Sequence, residues 1–213
     1  IVVASGCTDN TIPSIKEYQK HHSNVKLIIE EKRSGKISAI NKILKASKGD
    51  LIVHTDGDVI LNEDAVEKLS FYFQKYNFIS GVSGTAKIVR NSSSLFYYWA
   101  KKMVSILNKN KIIEFRKGYF FHISGYIFAH KKGSITEVPP VKGATDATMG
   151  SILREKGLIV FDPKIKAMVK HPNNVQDFIR QKARIRYGFL CLNKRFKSDR
   201  TLFSEIKHIG KLF

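Results

Sequence analysis

The chain has 213 residues, 43% of them hydrophobic, which is enough to bury a full core and argues against an intrinsically disordered protein. No run of about 18 uncharged apolar residues is present, so the sequence predicts no transmembrane helix. Lys and Arg number 37 against 18 Asp and Glu, and the net charge of +19 favours polyanionic partners such as nucleic acid, anionic lipid headgroups or phosphorylated substrates.

The first half of the chain alternates strand and helix signals, which is the pattern of βαβ units. Ile1, Val2 and Val3 read as the end of a strand already under way, so we expect an N-terminally incomplete chain from which a preceding strand is missing. Further along, apolar runs and helical spacing predict strands over residues 25–29 and 50–55, helices over residues 12–21 and 36–47, and a third helix that Asn62 caps and that runs to about residue 76.

The second half continues the alternation and becomes strongly basic. The sequence predicts strands over residues 79–89, 124–130, 158–161 and 167–169 and helices over residues 95–113, 144–156 and 175–193. We therefore expect one α/β domain at residues 1–193, with a mainly parallel sheet, flanking helices and a helical C-terminal annex. A basic amphipathic segment is predicted at residues 194–213, where apolar residues recur between lysines.

Two carboxylates follow the predicted strand 50–55. Asp56 and Asp58 flank Gly57 at the point where that strand ends, and in open α/β sheets ligands bind outside the carboxyl ends of the strands. An Asp-X-Asp at this place can hold a hard divalent cation, Mg²⁺ or Mn²⁺, through oxygen ligands and leave coordination positions for phosphate. An ordinary turn that leads into a helix cap is the alternative interpretation.

A second candidate site lies at the start of helix 36–47. Arg33 and Lys36 flank Gly35 there, and backbone N–H groups together with cationic side chains suit phosphate. A solvated lysine in a surface loop is the alternative interpretation of Lys36.

Five short motifs in a fixed order carry a family resemblance. They are SGCTDNT, RSGKISAIN, DGD, the TD of GATDATMG, and QKARIRYG. In this order the sequence resembles the inverting glycosyltransferases of the GT-A type, glycosyltransferase family 2, which is related to cellulose, chitin and hyaluronan synthases and to dolichol- and undecaprenyl-phosphate sugar transferases. The resemblance extends from residue 1 to about residue 190 and implies a Rossmann-like GT-A fold.

The resemblance implies a role for each candidate residue. Asp58 would be the direct metal ligand, with Asp56 beside the sugar-nucleotide or a bound water. Asp146 would be the general base that takes the proton of the acceptor hydroxyl as its oxygen attacks the anomeric carbon in line. A single displacement of this kind inverts the anomeric configuration and requires only one base. A helix N-cap is the alternative interpretation of Asp146.

The last motif implies a contact with the donor diphosphate. Gln181, Arg184 and Gly188 match the family's Gln-x-x-Arg-Trp motif and the glycine that follows it, and the guanidinium of Arg184 suits phosphate geometry. Ile185 stands at the Trp position, which in processive synthases helps to hold the acceptor sugar. This departure counts against long-chain polymer synthesis.

Two further departures concern the donor and the base. Ala4 and Ser5 replace the family's nucleotide-binding acid, so the nucleotide base of the donor is not determined. Thr145 replaces the Glu that usually precedes the general base, which removes a supporting carboxylate.

Taken together, the residues and the family resemblance imply an inverting, metal-dependent hexosyltransferase of polysaccharide biosynthesis with a nucleotide-diphosphate sugar as donor and a saccharide or lipid-linked acceptor. The basic C-terminal helix suits anionic headgroups, so we expect the acceptor near a membrane. Cys7 and Cys191 lie far apart and are typical of a reduced compartment. The expected location is therefore cytoplasmic and peripheral at the inner face of the membrane.

Three alternatives stay open. The net charge of +19 also fits a nucleic-acid-binding domain, but the basic residues are not interleaved with aromatic ones as a stacking platform requires, so no specific nucleic acid is expected as a partner. A nucleotide-binding dehydrogenase lacks support because no Gly-x-Gly-x-x-Gly follows a strand. A catalytically inactive relative is the third alternative, favoured by Ala4 and Ile185.

The histidines and the aromatic start of helix 95–113 have ordinary interpretations. His122, His130 and His171 share no ligand spacing and are interpreted as core or surface residues rather than as a metal site. Trp99 is interpreted as part of a helix core, with an interfacial helix as the alternative because Lys101 and Lys102 follow it.

Overall fold

The structure is a computed structural model of the chain and describes residues 1–89, 95–118, 123–141, 144–172 and 174–196. Within these ranges strands and helices alternate from the first residues onward. In chain order they are β1 (Val2–Ser5), α1 (Thr11–His21), β2 (Leu27–Glu30), α2 (Lys36–Ala46), β3 (Leu51–Thr55), β4 (Ile60–Leu61), α3 (Ala65–Lys75), β5 (Ile79–Ile88), α4 (Leu95–Arg116), β6 (Ile127–Lys131), α5 (Thr145–Lys156), β7 (Leu158–Val169) and α6 (Val175–Phe196).

The strands form two sheets. In the first, β1 and β2 pair in parallel, with Ser5 opposite Glu30 at the exit. The second has the order β3-β6-β5-β7-β4. There β5 and β7 are parallel, whereas the pairs β3–β6, β6–β5 and β7–β4 are antiparallel.

The predicted α/β class is confirmed, and the sheet is more mixed than the mainly parallel one that we expected. β6 begins near the end of the sheet toward which β5 runs, and it therefore enters between β3 and β5 in the opposite direction. Hydrophobic periodicity marks where a strand lies but carries no information about its direction.

Side chains of β6 connect two hydrophobic clusters on opposite faces of the second sheet. Ile127 and Ala129 belong to the first cluster, with Leu69 of α3. Phe128 belongs to the second cluster, with Met149 of α5 and residues of α2. The alternation along a strand thus buries β6 on both faces and fixes α2, α3 and α5 against the sheet.

Several local predictions differ from the structure. β7 is one continuous strand rather than two short ones. Asn62 does not cap α3: the N-cap is Asp64, and the Asn62 side-chain oxygen accepts from the backbone N–H of Lys166 at 2.7 Å. Trp99 is 68% exposed and is not part of a helix core.

The boundary that we placed at residue 193 falls inside a helix, since α6 runs to Phe196. Most of the predicted segment 194–213 lies outside the described residues. In the part of the chain that the structure describes, no helix is long and apolar enough to cross a lipid bilayer.

Candidate functional site

β3 delivers the two carboxylates of the Asp-Gly-Asp motif to the edge of the second sheet. The strand ends at Thr55, and the backbone N–H of Val59 donates to the carbonyl of Asp56 at 3.3 Å to close the turn. Asp56 is half-buried and Asp58 is exposed. The structure thus places both side chains where a ligand at the exit of the strand can reach them.

Lys36, which belongs to the predicted phosphate site, forms an ion pair with the Asp-Gly-Asp motif. Gly35 adopts a left-handed conformation (φ 88°) just before α2, and Lys36 is the first residue of the helix. Its ammonium donates to Asp56 Oδ1 at 2.7 Å, with the two side chains 51% and 33% exposed. An ion pair this exposed is worth at most about 1 kcal/mol, so an incoming diphosphate can replace it at little cost.

A cavity of about 360 Å³ opens beside this ion pair. Its walls come from β3, α2 and α5, and its lining includes Lys36, Asp56, Gly125 and Asp146, while Ile1 contributes from the side of the first sheet. In the described residues β3 pairs only with β6, so the other edge of β3 faces this space. A cavity of this volume is in the usual range for a small-molecule site.

Asp146 lies in the first turn of α5 and lines the same cavity. The N-cap of α5 is Ala144, so Asp146 does not cap the helix. Gly125 packs directly against it, because a Cβ added to Gly125 would lie 3.2 Å from Asp146 Oδ2. The predicted base and Asp56, the first carboxylate of the predicted metal motif, therefore open onto one space from two different elements, whereas Asp58 is not in the lining.

Arg33, Gln181 and Arg184 are not in the lining of this cavity. Arg33 is exposed on the loop between β2 and α2. Its backbone packs against Gly6, which itself has a φ of 59°. Gln181 is half-buried and Arg184 is exposed on α6, a helix that contacts α5. The structure thus brings Lys36, Asp56 and Asp146 together around one cavity and leaves Arg33, Gln181 and Arg184 outside its lining.

An ion pair with a buried carboxylate fixes the loop that carries Arg33. The carboxylate of Glu30, with its side chain 2% exposed, accepts from Lys42 Nζ at 2.7 Å and from the Ser38 hydroxyl at 2.8 Å. The Lys42 ammonium, with help from Ser5 and Ser38, lowers the pKa of Glu30 to about 2. These contacts tie the end of β2 to α2 and thereby set the position of the loop between them.

Tyr126 is a neighbour of the predicted site carboxylates that the sequence did not reveal, although it does not line the cavity. It is half-buried immediately before β6, and burial raises the pKa of its phenol. Asp56, Asp146 and Asp58 raise that pKa further, and Arg184 acts in the opposite direction. The phenol therefore lies within electrostatic reach of all three predicted site carboxylates. The only local signal was its place just after Gly125, at the start of a strand.

Two buried histidines lie behind the motif. His54 of β3 and His130 of β6 have their Nε2 atoms 3.0 Å apart, and Nδ1 of His130 lies 2.8 Å from the carbonyl of Lys131. That nitrogen must donate to the carbonyl, so Nε2 of His130 accepts the proton of His54 Nε2. Burial lowers the pKa of His54 to about 3 and lowers that of His130. The pair is a core contact, as predicted for His130.

The protein supplies only part of the ligand set that a hard divalent cation needs at the exit of β3. Two carboxylates supply oxygen ligands, which Mg²⁺ and Mn²⁺ prefer. No group of three or more His, Cys, Asp and Glu side chains converges anywhere in the described ranges. An ion held by Asp58 and Asp56 would therefore take its remaining ligands from water and from the phosphates of a substrate.

Solved structures of similar fold include glycosyltransferases. A mannosyltransferase from Pyrobaculum calidifontis, solved with GDP-Man and Mn²⁺, has a TM-score of 0.67 at 17% identity, and the match covers 94% of this chain and 55% of that one. TarS from S. aureus, solved with UDP-GlcNAc, has a TM-score of 0.60 at 16% identity over 82% of this chain and 50% of that one.

A third similar structure is glucosyl-3-phosphoglycerate synthase from Mycobacterium tuberculosis, solved with Mn²⁺, UDP and glucosyl-3-phosphoglycerate. Its TM-score is 0.59 at 20% identity, over 94% of this chain and 69% of that one. The chain thus spans between half and about two thirds of the length of these proteins. Together they establish the predicted GT-A fold. No curated protein matches the chain in sequence.

The sequence model of a family described as "Glycosyl transferase family 2" matches residues 1–135. That range contains Arg33, Lys36, Asp56 and Asp58, whereas Asp146 and the α6 residues lie beyond it. Because the match extends over well more than half of the chain, the protein belongs to glycosyl transferase family 2.

Proposed function

We propose that the protein transfers a sugar, with inversion, from a nucleotide-diphosphate sugar to a hydroxyl group of its acceptor. The observation that carries this proposal is the single cavity lined by Lys36, Asp56 and Asp146. One side of that cavity offers groups suited to a diphosphate and the other offers a carboxylate suited to a general base. In the transfer, the acceptor oxygen bonds to the anomeric carbon, the bond from that carbon to the phosphate oxygen breaks, and Asp146 takes the hydroxyl proton.

The charge of the leaving diphosphate calls for neutralisation, and Asp58 with Asp56 would hold a divalent cation for this purpose. Such an ion, when bound, acts as a Lewis acid on the phosphate oxygens. Lys36 supplies a positive charge beside Asp56, and Arg33 and Arg184 would add further positive charge to hold the diphosphate. Two of the similar structures were solved with Mn²⁺, which supports the choice of Mn²⁺ or Mg²⁺.

The acceptor is a saccharide or a lipid-linked saccharide at an anionic membrane surface. Two features of the described chain support this part of the proposal: the net charge of +19, and a mostly exposed α6 that carries arginines beside exposed apolar side chains. The protein would then act as a peripheral enzyme at the cytoplasmic face of a membrane.

The decisive experiment measures nucleotide binding by calorimetry on the full chain, with UDP and GDP titrated in Mn²⁺ and in EDTA. Asp58→Asn should remove most of the Mn²⁺-dependent affinity. The matched control is Glu63→Gln, which removes the charge of another exposed acid five residues further along the chain, outside the Asp-Gly-Asp motif. Equal affinity in EDTA and Mn²⁺ would contradict the metal dependence. Binding of neither nucleotide, together with tight binding of an oligonucleotide, would favour the nucleic-acid alternative.

A further inference from the structure

The outer face of α4 is exposed, aromatic and basic. Near the start of the helix Tyr98 and Trp99 are 57% and 68% exposed, although the next residue, Ala100, is fully buried against the sheet. Among the α4 side chains that the structure describes, the other exposed positions are Lys101, Lys102, Ser105, Lys109, Ile113 and Arg116. Four of these are positively charged and none is acidic, whereas a helix face that only meets water usually carries charges of both signs.

The direction of α4 places the two aromatic residues beyond the end of β5. The side-chain amide of Asn108 donates to the carbonyl of Ala86 at 3.0 Å, and the Lys111 ammonium lies 5.7 Å from the centre of the Phe161 ring. Phe161 pairs with Ser83, which precedes Ala86 in β5, so α4 runs opposite to β5. The start of α4 therefore lies at the end of the sheet toward which β5 runs.

The candidate site lies at the same end of the sheet. Both β3 and β5 run opposite to β6, and β7 is parallel to β5, so these three strands end on one side. Asp56 follows the end of β3, and α6 begins shortly after the end of β7. The exposed aromatic residues of α4, the Asp-Gly-Asp motif and the start of α6 therefore share one end of the second sheet.

The chemistry of this face fits the interfacial region of an anionic bilayer. Tyr and Trp rings combine an apolar body with a polar group and are enriched where acyl chains meet headgroups. Lysines beside them can bind lipid phosphates while their methylene stems lie on apolar surface. Nucleic acid fits less well, because the exposed aromatic residues are confined to the start of α4 and do not alternate with the basic residues along it.

We propose that Tyr98 and Trp99 enter the headgroup region of an anionic membrane while Lys101 and Lys102 bind its phosphates. This inference deepens the proposed function and rests on its membrane-near acceptor. The contact turns the end of the sheet that carries Asp56 toward the lipid surface. A hydroxyl group of a lipid-linked saccharide then reaches the candidate site while its lipid stays in the membrane.

Trp99 is the only tryptophan among the 213 residues, so tryptophan fluorescence of the full chain reports on this contact. Vesicles of phosphatidylcholine and phosphatidylglycerol should shift its emission to shorter wavelength, and brominated acyl chains in them should quench it. Vesicles of phosphatidylcholine alone should do neither. The double substitution Lys101→Gln and Lys102→Gln should weaken vesicle binding by roughly tenfold to thirtyfold. Trp99→Gln should lower co-sedimentation several-fold.

The matched controls change the same kinds of residue at the opposite end of the sheet. Phe78 is 63% exposed just before β5 begins, and Lys132 and Lys156 are exposed just after β6 and at the end of α5. Phe78→Gln should bind vesicles nearly as the wild type does. The double substitution Lys132→Gln and Lys156→Gln removes the same charge as the α4 pair and should weaken binding far less.

The outcomes separate this contact from the proposed function. Vesicle binding without a change in Trp99 emission, or equal losses in the control variants, would overturn the inference and leave the membrane-near acceptor standing. If the wild type binds no anionic vesicle, both the inference and the membrane-near acceptor fail, while the nucleotide titrations still test sugar transfer. A change in Trp99 emission with an oligonucleotide and none with vesicles would overturn the inference in favour of nucleic acid.

Discussion

At the scale of single residues, the position of Asp146 decides whether the site can activate an acceptor. Its carboxylate faces the cavity from the first turn of α5 and makes no cap for that helix. A base at this place acts on the acceptor hydroxyl and not on the diphosphate. Its removal should therefore separate chemistry from donor binding.

We predict that Asp146→Asn slows sugar transfer by about 10²–10⁴-fold, because that is the usual contribution of a general base. Donor affinity should change little, since Asn keeps the shape of the side chain beside Gly125. The measurements are transfer rates to any acceptor that the wild type glycosylates and calorimetric donor binding. Transfer within a few-fold of the wild-type rate would refute the base assignment. A product that retains the anomeric configuration of the donor, seen by NMR, would refute the single displacement.

The sequence predicted some residues of this site and not others for a physical reason. Asp56 and Asp58 could be predicted as site residues because an apolar run followed by acidic residues indicates the end of a strand. The ion pair between Lys36 and Asp56 was not, since it spans 20 residues and depends on how α2 docks on the sheet. The position of Tyr126 near these carboxylates depends on the antiparallel pairing of β6 with β3. Hydrophobic periodicity does not indicate the direction of a strand.

At the scale of secondary-structure elements, the His54–His130 contact ties β3 to β6 inside the core. The two rings share one hydrogen bond as long as at least one of them is neutral, and burial disfavours the charged form of each. An unfolded chain releases both histidines to water, where their pKa is near 6.5. The folded state therefore binds fewer protons than the unfolded state when the pH falls below about 6.5.

We predict that the free energy of unfolding is nearly constant above about pH 7 and decreases as the pH falls from about 6.5 toward 4.5. The slope is at most about 1.4 kcal/mol per pH unit for each histidine that stays neutral in the folded state. Glu30 does not contribute in this window. Its pKa of about 2 lies below the ordinary 4.5, so its stabilisation is present above 4.5 and is lost only below that value.

Urea titrations at several pH values provide the measurement. His171, whose pKa is also lowered by burial, contributes to the same slope, so the pair must be isolated by substitution. His54→Gln keeps a polar side chain beside His130. It should reduce the dependence of the unfolding free energy on pH in this window by the contribution of one histidine. His21→Gln, at an exposed position of α1, is the control and should leave the slope unchanged. Equal slopes for wild type and His54→Gln would show that the pair does not titrate as proposed.

At the scale of the whole molecule, the excess of positive charge and the exposure of α6 both favour binding to an anionic surface. Val175, Ile179 and Leu190 are each more than half exposed, and their spacing places them on one stripe of the helix together with Arg186. A stripe that is both apolar and basic is unusual for a helix that only faces water, and it is typical of helices that lie at a membrane surface.

We therefore predict that the protein binds anionic vesicles and that this binding weakens with salt. Each Lys or Arg near an anionic surface contributes about 1 kcal/mol, and apolar side chains add burial in the headgroup region. Co-sedimentation with phosphatidylglycerol-containing vesicles should exceed that with phosphatidylcholine alone. The double substitution Ile179→Asn and Leu190→Asn should lower it several-fold, whereas Val66→Asn, at an exposed apolar position of α3, should not. Equal co-sedimentation with neutral and anionic vesicles would mean that the positive charge binds a polyanion other than an anionic membrane. It would contradict the proposal that the acceptor lies near a membrane.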